Sequence, residues 1–465
     1  MLTYQDYDKA TDKLDFLQKI IDEHKGSEIV KTALIADEYD RQRNTTINTF
    51  IQKIFTLKGQ AVENRFASNN KRASNFFRLL NRQRCMFLLG NGVTIRDESV
   101  KEKFGKDFDT QMQRAGYKAL IHGISFVFLN LDRVHVFPVT EFAPLWDEET
   151  GVLRAGIRYW QLDSTKPLMI TLYEQDGYTT YRKGKDDKGF VELNEKRAYK
   201  QTIAKAPADD VAEVVGESNY GALPIVPFWG SELKQSTLIG MREGIDSYDL
   251  ISNGLCNDLR DCARVFMLLE NYGGMNDNDL AEFRDRLVTQ HIAVADTQNG
   301  GKITPYTQEI PFEAVEAYLN RLKQDIYGDF GALNVSEISA AAKTATEINA
   351  AYQPLDDAAD DFEYQMIAGI QQLLALIGEE DTPTFKRNRI ANQLEEVQML
   401  DMEAGMVPMD DETLLNKFPN FTPDEVQETL DRIAEAQASR VNNTPTQSPT
   451  APQNEGEPQD GEVNA

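Results

Sequence analysis

Hydrophobic and polar residues follow two periods along this chain, and the change of period divides it. Leu14, Leu17, Ile20 and Ile21 recur at helical spacing, and Phe76, Phe77, Leu80 and Cys85 keep it less strictly. Residues 3–25 and 28–90 therefore read mainly as helix, closed by the Gly-Asn-Gly turn of LLGNGVTI (88–95). A further helix is predicted over 107–123. From residue 124 the period shortens. ISFVFLNLDRVHVFPVTEFAPLW (124–146), LRAGIRYWQL (153–162), LMITLYEQDGYTTYRK (168–183) and GFVEL (189–193) are rich in β-branched and aromatic residues with turn residues between them, which predicts an antiparallel sheet. Residues 201–222 read as loop. Pro224 and Pro227 then bias YGALPIVPFWG (220–230) toward extended backbone.

After this strand the helical period returns with unusual regularity. Leu238, Met241, Ile245, Tyr248, Ser252, Leu255, Leu259, Cys262 and Phe266 step by three and four throughout, and only Ser252 is polar. Pro311 suits the first position of a second long helix, in which Phe312, Val315, Leu319, Leu322 and Ile326 repeat the step. Between the two lies a small module, 267–310, of predicted strand (267–271), helix (277–288), strand (291–296) and strand (302–307). GALNVSEISAAAK (331–343) reads as a small-residue loop. A very long helix over about 344–377 then places Ile348, Tyr352, Leu355, Ala359, Phe362, Met366, Ile370, Leu373 and Ile377 on one face, with Pro354 expected to bend it. Short helices are predicted over 388–404, 410–416 and 423–440, with Asp410 and Thr422 as caps. The fold class is α+β and mainly helical.

Composition sharpens this picture in its last quarter. The 465 residues carry 49 bases and 75 acids, a net charge of −26, with 41% apolar and 9% aromatic residues, enough for a sizeable core. Residues 344–465 hold 25 of the acids and 6 of the bases, so the rest of the chain is nearly balanced. Such a balance disfavours wrapping of nucleic acid, which needs many cations on phosphates. Residues 441–465 contain four prolines, four acids and no aromatic, and read as a disordered tail. Three cysteines, Cys85, Cys256 and Cys262, form no disulfide framework and suit a reducing compartment. No signal peptide is expected from MLTYQDYDKATDK, and no apolar run approaches the length of a membrane span.

No catalytic constellation stands out. His24, His122, His135 and His291 lack ligand spacing, so no metal site is expected from them. The GNG of 90–92 lacks the third glycine of a dinucleotide loop, NGGK (299–302) fails the phosphate-loop spacing, and MNDNDL (275–280) lacks the glycine and distal Glu of a calcium loop. The best case for an enzyme is the cluster Asp356, Asp357, Asp360, Asp361 and Glu363. Asp357 and Asp361 share a helix face at i, i+4 and could hold Mg²⁺ for phosphodiester hydrolysis, although plain solvated faces carry the same pattern. Arg65, Lys71, Arg72, Arg78, Arg82 and Arg84 form the densest positive stretch, which reads as an exposed helix face or protein contact before a nucleic-acid patch.

The order of these segments resembles one family, the portal proteins of tailed bacteriophages of the siphophage type. NNKRASNFFRLLNRQRCMFLLGNGV (69–93), AGYKALIHGISFVFLN (115–130) with RVHVFPVTEFAPLWDEETG (133–151), and YGALPIVPF (220–228) leading into GIDSYDLISNGLCNDLRD (244–261) carry the resemblance. KTATEINA (343–350) and the segment 385–433 extend it, so that it covers about 65–440, while the first 60 residues match poorly.

The resemblance implies a portal fold: a β-rich wing (1–233), stem helices (234–266 and 311–332), a small α/β clip (267–310), a tunnel loop (333–343), a bent wing-spine helix (344–383), a helical crown (384–440) and a tail. It implies a structural protein with no enzymatic activity and no cofactor. About twelve copies would ring a channel for double-stranded DNA at one capsid vertex, assembled in the bacterial cytoplasm and joined in the virion. Expected partners are the terminase large subunit, the major capsid and scaffolding proteins and a head-completion adaptor, with no membrane. Asn334 and Lys343 on the tunnel loop and Arg321 and Lys323 on the second stem helix are the expected DNA contacts. Arg284, Arg286, His291 and Lys302 would dock the motor at the clip. Leu238, Ile245, Leu255, Leu319 and Leu322 would pack stems between subunits.

Overall fold

The computed structural model describes residues 2–55, 59–64, 67–185, 187, 189–204, 213–262, 266–270, 278–279, 281–282, 302–306, 311–335, 345–389, 400, 402, 404–406, 410–417 and 423–442. The chain divides into two compact units, residues 1–388 and 389–465.

The first unit opens with α1 (Tyr4–Asp8), α2 (Lys13–Gly26), α3 (Glu28–Asp40) and α4 (Thr45–Thr49). Asp12 caps α2, accepting the N–H groups of Leu14 and Asp15 at 3.1 Å. Residues 28–90, expected to be mainly helix, are helical only in part. An antiparallel hairpin, β1 (Lys53–Phe55) and β2 (Ala61–Glu63), interrupts them. Ile54, Phe55 and Val62 favour strand, and Gly59 at φ +74° takes a turn conformation that a Cβ would strain. Residues 67–75 are not helical, and helix resumes as α5 (Phe76–Leu89).

After α6 (Glu98–Glu102) and α7 (Phe108–His122) come the expected strands: β3 (Ile124–Asn130), β4 (Arg133–Pro138), β5 (Phe142–Trp146), β6 (Leu153–Trp160), β7 (Leu168–Glu174), β8 (Gly177–Lys183) and β9 (Val191–Arg197). The expected loop of 201–222 instead contains a hairpin, β10 (Lys200–Ala204) with β11 (Glu213–Ser218), before β12 (Ile225–Trp229). The sheets are antiparallel, in the orders β5-β6-β7-β8-β9 and β12-β3-β4. Strand β3 is buried on both faces, and its period of two serves two cores. Ile124, Phe126 and Phe128 face an aromatic cluster with Phe137, Phe142 and Tyr173. Val127 and Leu129 face a helical core with Leu120, Phe362 and Met366.

The remaining elements are α8 (Arg242–Cys262), β13 (Phe266–Glu270), β14 (Lys302–Tyr306), α9 (Phe312–Phe330) and α10 (Ala345–Leu376). The predicted face of α10 is the buried one: Tyr352, Leu355, Ala359, Phe362, Met366, Ile370 and Leu373 are all in the core. The helix continues through Pro354. Two glycines set its close approach to the body. A Cβ on Gly369 would lie 2.5 Å from the Phe228 ring, and one on Gly116 would lie 2.8 Å from Phe362. In the second unit, α11 (Asp411–Lys417) follows Asp410, which accepts the Thr413 N–H at 3.3 Å, and α12 spans Pro423–Asn442.

Helix α2 docks Leu17, Ile20 and Ile21 on the five-stranded sheet. His24 goes in with them and meets the Tyr159 hydroxyl at 2.9 Å. Burial pulls its pKa down to about 4. The folded state therefore holds His24 neutral, and the unfolded chain binds a proton below pH about 6.5. Stability attached to this group is present above pH 6.5 and is lost as the pH falls toward 4. From pH 7 to pH 5 the loss is about 2 kcal/mol. A His24→Gln chain should show a smaller drop in thermal midpoint between those pH values than wild type, and an equal drop would assign the titration to another group.

Candidate functional site

The helix pair α8 and α9 is held to the rest of the first unit by polar residues as much as by apolar ones. The repeat over 238–266 is not one helix. Leu238 and Met241 precede α8, and Phe266 lies in β13, paired with Tyr306 of β14. The buried face of α8 carries Ile245, Asp249, Asn253 and Asn257. The three polar residues bind a stretch of backbone. Asp249 accepts the Ser74 N–H, Asn253 the Arg72 N–H and Asn257 the Asn70 N–H, each at 2.8 Å. Asn253 also donates to the Arg72 carbonyl at 2.8 Å.

The spacing explains the fit. Four helical residues rise about 6.0 Å and two extended residues span about 6.6 Å, so side chains at i, i+4 and i+8 keep step with alternate residues of an antiparallel chain. Asn44 donates to Asp249 as well, and Arg260 bonds Asn70 Oδ1 at 2.9 Å. Burial pushes the Asp249 carboxyl up against the opposing bonds from Asn44 and Ser74. One turn earlier, Asp246 accepts from Thr46 Oγ1 at 2.6 Å and from the Tyr39 hydroxyl.

The end of α9 is held by α5. Gly331 closes the helix at φ +63°, as a left-handed C-cap does, and Ala332 N–H returns to the Tyr327 carbonyl at 2.9 Å. Gln83 then pairs with both backbone groups of Leu333. Its Nε2 donates to the carbonyl at 2.9 Å and its Oε1 accepts the N–H at 3.0 Å. Arg84 donates to the Phe330 carbonyl and lies 4.2 Å over the Phe330 ring. A cation at a helix C-terminus is favourable, while burial pulls the guanidinium pKa down to about 10 against the nearby Asp361 charge. Leu333 is buried with Phe87, Tyr352, Leu355 and Ala359. The segment between α9 and α10 is therefore anchored at its start against the first turns of α10.

The expected contact residues fall in different settings. Asn334 follows Leu333 and is half-buried; Arg321 on α9 is exposed and pairs with Asp325 at 3.8 Å; Lys323 is half-buried. Lys302 begins β14 opposite Glu270. Lys343, Arg284, Arg286 and His291 lie outside the described residues. Leu238 and Ile245 are buried in the chain's own core with Phe77, Leu80 and Phe330, whereas Leu255, Leu319 and Leu322 are half-buried. Arg78 and Arg82 are exposed on α5, but Arg84 does not belong to that face because it turns onto Phe330.

The acidic cluster is already engaged. Arg387 bonds Asp356 at 2.8 Å, Glu363 at 2.8 Å and Asp360. These carboxylates raise its pKa although burial opposes them. Asp357 accepts from Gln353 at 2.7 Å, and Asp361 accepts the Glu232 N–H at 3.0 Å. No group of three or more metal-ligating side chains is present among the described residues. Nor is any helix there long and apolar enough to cross a membrane.

A family model described as "Phage portal protein, SPP1 Gp6-like" matches residues 12–442. The chain belongs to this portal family. It is 23% identical to the portal protein of Bacillus phage SPP1 over 465 aligned positions, which cover 91% of this chain and 88% of that one. It is 22% identical to the portal protein of Clostridium phage phiCD119, with 76% and 83% covered. A chain from the neck of an empty GTA particle, computed with C6 symmetry, aligns at 9% identity and a TM-score of 0.41 over 74% of this chain and 90% of that one. The portal family match gives no support to a Mg²⁺ hydrolase at Asp357 and Asp361, whose carboxylates already have partners on the chain. The polar ladder on α8 and the Gln83 pair were not found from sequence. Their one available signal was the four-residue spacing of Asp249, Asn253 and Asn257.

Proposed function

We propose that this portal-family chain assembles into a closed ring at one capsid vertex, that double-stranded DNA enters and leaves through the ring's channel, and that the ring docks a packaging motor and head-completion proteins. The match of the family model to residues 12–442 carries this reading. The wing, stem, clip, tunnel-loop, spine and crown boundaries given above belong to the same proposal, with α8 and α9 as the stem. Exposed Leu259, Phe312 and Tyr318 on this helix pair support it, because large apolar side chains in water favour packing against neighbouring helices. Charge supports it too. About twelve copies at −26 each bring roughly three hundred negative charges around a duplex that itself carries one charge per about 1.7 Å, so the walls repel the duplex and let it slide. The chain is a structural conduit in this reading, and the work of packaging belongs to the motor.

Negative-stain microscopy and native mass spectrometry of the purified chain test the ring. Closed rings are expected, and a chain that stays monomeric at all concentrations overturns the proposal. On the loop, Lys343→Ala should leave assembly intact and lower DNA retention several-fold. Normal packaging by that variant would remove Lys343 from the channel contacts. Arg284→Glu and Arg286→Glu should weaken motor binding while rings persist, and unchanged motor affinity would move the docking site elsewhere.

A further inference from the structure

Residues 41–96 contain eleven bases and one acid, Glu63, whereas the rest of the chain contains 38 bases and 74 acids. This basic zone includes the β1–β2 hairpin. Among the described residues, the β1–β2 hairpin forms a two-stranded sheet of its own, with no third strand paired to it. All of β2 is exposed, and Phe50, Ile51 and Val62 stand 39%, 44% and 40% exposed at and beside it. A lone two-stranded hairpin is marginal in water. Yet its base is fixed on both sides. Asn44 and Thr46 bond Asp249 and Asp246 before it, and the α8 ladder holds Asn70, Arg72 and Ser74 after it. The result is an apolar, basic arm on a fixed mount. Exposed Lys53, Lys71, Arg72, Arg78 and Arg82 lie along it and along the start of α5.

Phosphates would satisfy these cations but leave Phe50, Ile51 and Val62 in water. An acidic protein surface with exposed apolar side chains satisfies both. This chain carries one. Leu233 and Tyr364 are 75% and 71% exposed, near exposed Glu232 and Asp357. The bond from Glu232 N–H to Asp361 ties the segment carrying Leu233 to α10. We propose that the β1–β2 arm and the basic face of α5 dock on the Leu233–Tyr364 surface of a neighbouring copy. The proposal rests on the ring reading and gives it a mechanism. Arm and receptor are different surfaces, so the contact is heterologous and can propagate around a closed ring.

A benzophenone side chain in place of Val62, in the full-length chain, tests it. Irradiated rings should yield chain-to-chain cross-links that map to peptides containing Leu233 or Tyr364. A cross-link confined to its own chain, to DNA or to another surface overturns the docking while intact rings uphold the ring reading. Absence of rings from the unmodified chain overturns both. In parallel, Arg78→Glu/Arg82→Glu should keep the wild-type melting profile of the monomer and lower the ring fraction at least tenfold, with a steeper loss at low salt. An unchanged ring fraction removes α5 from the interface.

Discussion

An Asn253→Leu chain should lose about 2–5 kcal/mol of stability and release residues 67–75 from α8. Asn253 is nearly fully buried and makes three bonds through one amide. It accepts the Arg72 N–H, and it donates to the Arg72 carbonyl and to the Asp249 carbonyl one turn back. Leucine has a similar size, so the loss is not mainly a cavity. The cost comes from leaving both backbone groups of Arg72 without partners, each worth about 1–3 kcal/mol when buried. Hydrogen exchange distinguishes this from a general softening. The amides of Asn70, Arg72 and Ser74 should all lose protection together, because each donates to the same helix. A stability change below about 1 kcal/mol, or faster exchange at Arg72 alone, would show that the ladder is not cooperative. An Asn253→Asp chain keeps the acceptor for Arg72 N–H but sets a carboxylate against the Arg72 carbonyl, and should fall between the two.

That ladder marks the boundary of what could be read from sequence. The strands β3 to β8 follow from alternation, and the face of α10 from Tyr352 to Leu373 follows from helical spacing, because in both cases burial is apolar and periodicity reports it. For α8 the same template misleads. It joins Leu238, Met241 and Phe266 to a helix that spans only Arg242–Cys262, and an apolar template passes over Asp249, Asn253 and Asn257. Their partner is main chain, and main chain has no residue signature. The hairpin at 53–63 leaves no mark in a segment that reads mainly as helix, for a related reason. Its apolar residues are few and its pairing depends on the turn at Gly59. The engagement of Arg387 with three carboxylates joins positions 24 to 31 residues apart, which no local pattern reveals. Segment order carried the family, since it needs neither the pairings nor the partners.

A Gln83→Leu chain should fold and assemble but release the segment that follows α9. Gln83 bonds the Leu333 carbonyl at 2.9 Å and its N–H at 3.0 Å, the same bidentate reading of one residue's backbone that Asn253 makes on Arg72. Leu333 itself is buried under Phe87, Tyr352 and Leu355. Removing the amide strands two buried backbone groups at a cost of about 2–4 kcal/mol, concentrated at the base of 333–343. The rest of α5 keeps its packing, because Phe77, Leu80, Leu88 and Leu89 remain in the core. Hydrogen exchange should therefore rise at Leu333 and its neighbours while the melting of the five-stranded sheet stays near wild type. If 333–343 touches DNA in the channel, a loosened base should also lower DNA retention without changing ring number. Gln83→Glu separates position from chemistry. The carboxylate still accepts the Leu333 N–H but faces the carbonyl with no proton to give, so half of the effect should remain. Retention and exchange that match wild type in both variants would show that Gln83 is a bystander and that the Leu333 side chain alone anchors the segment.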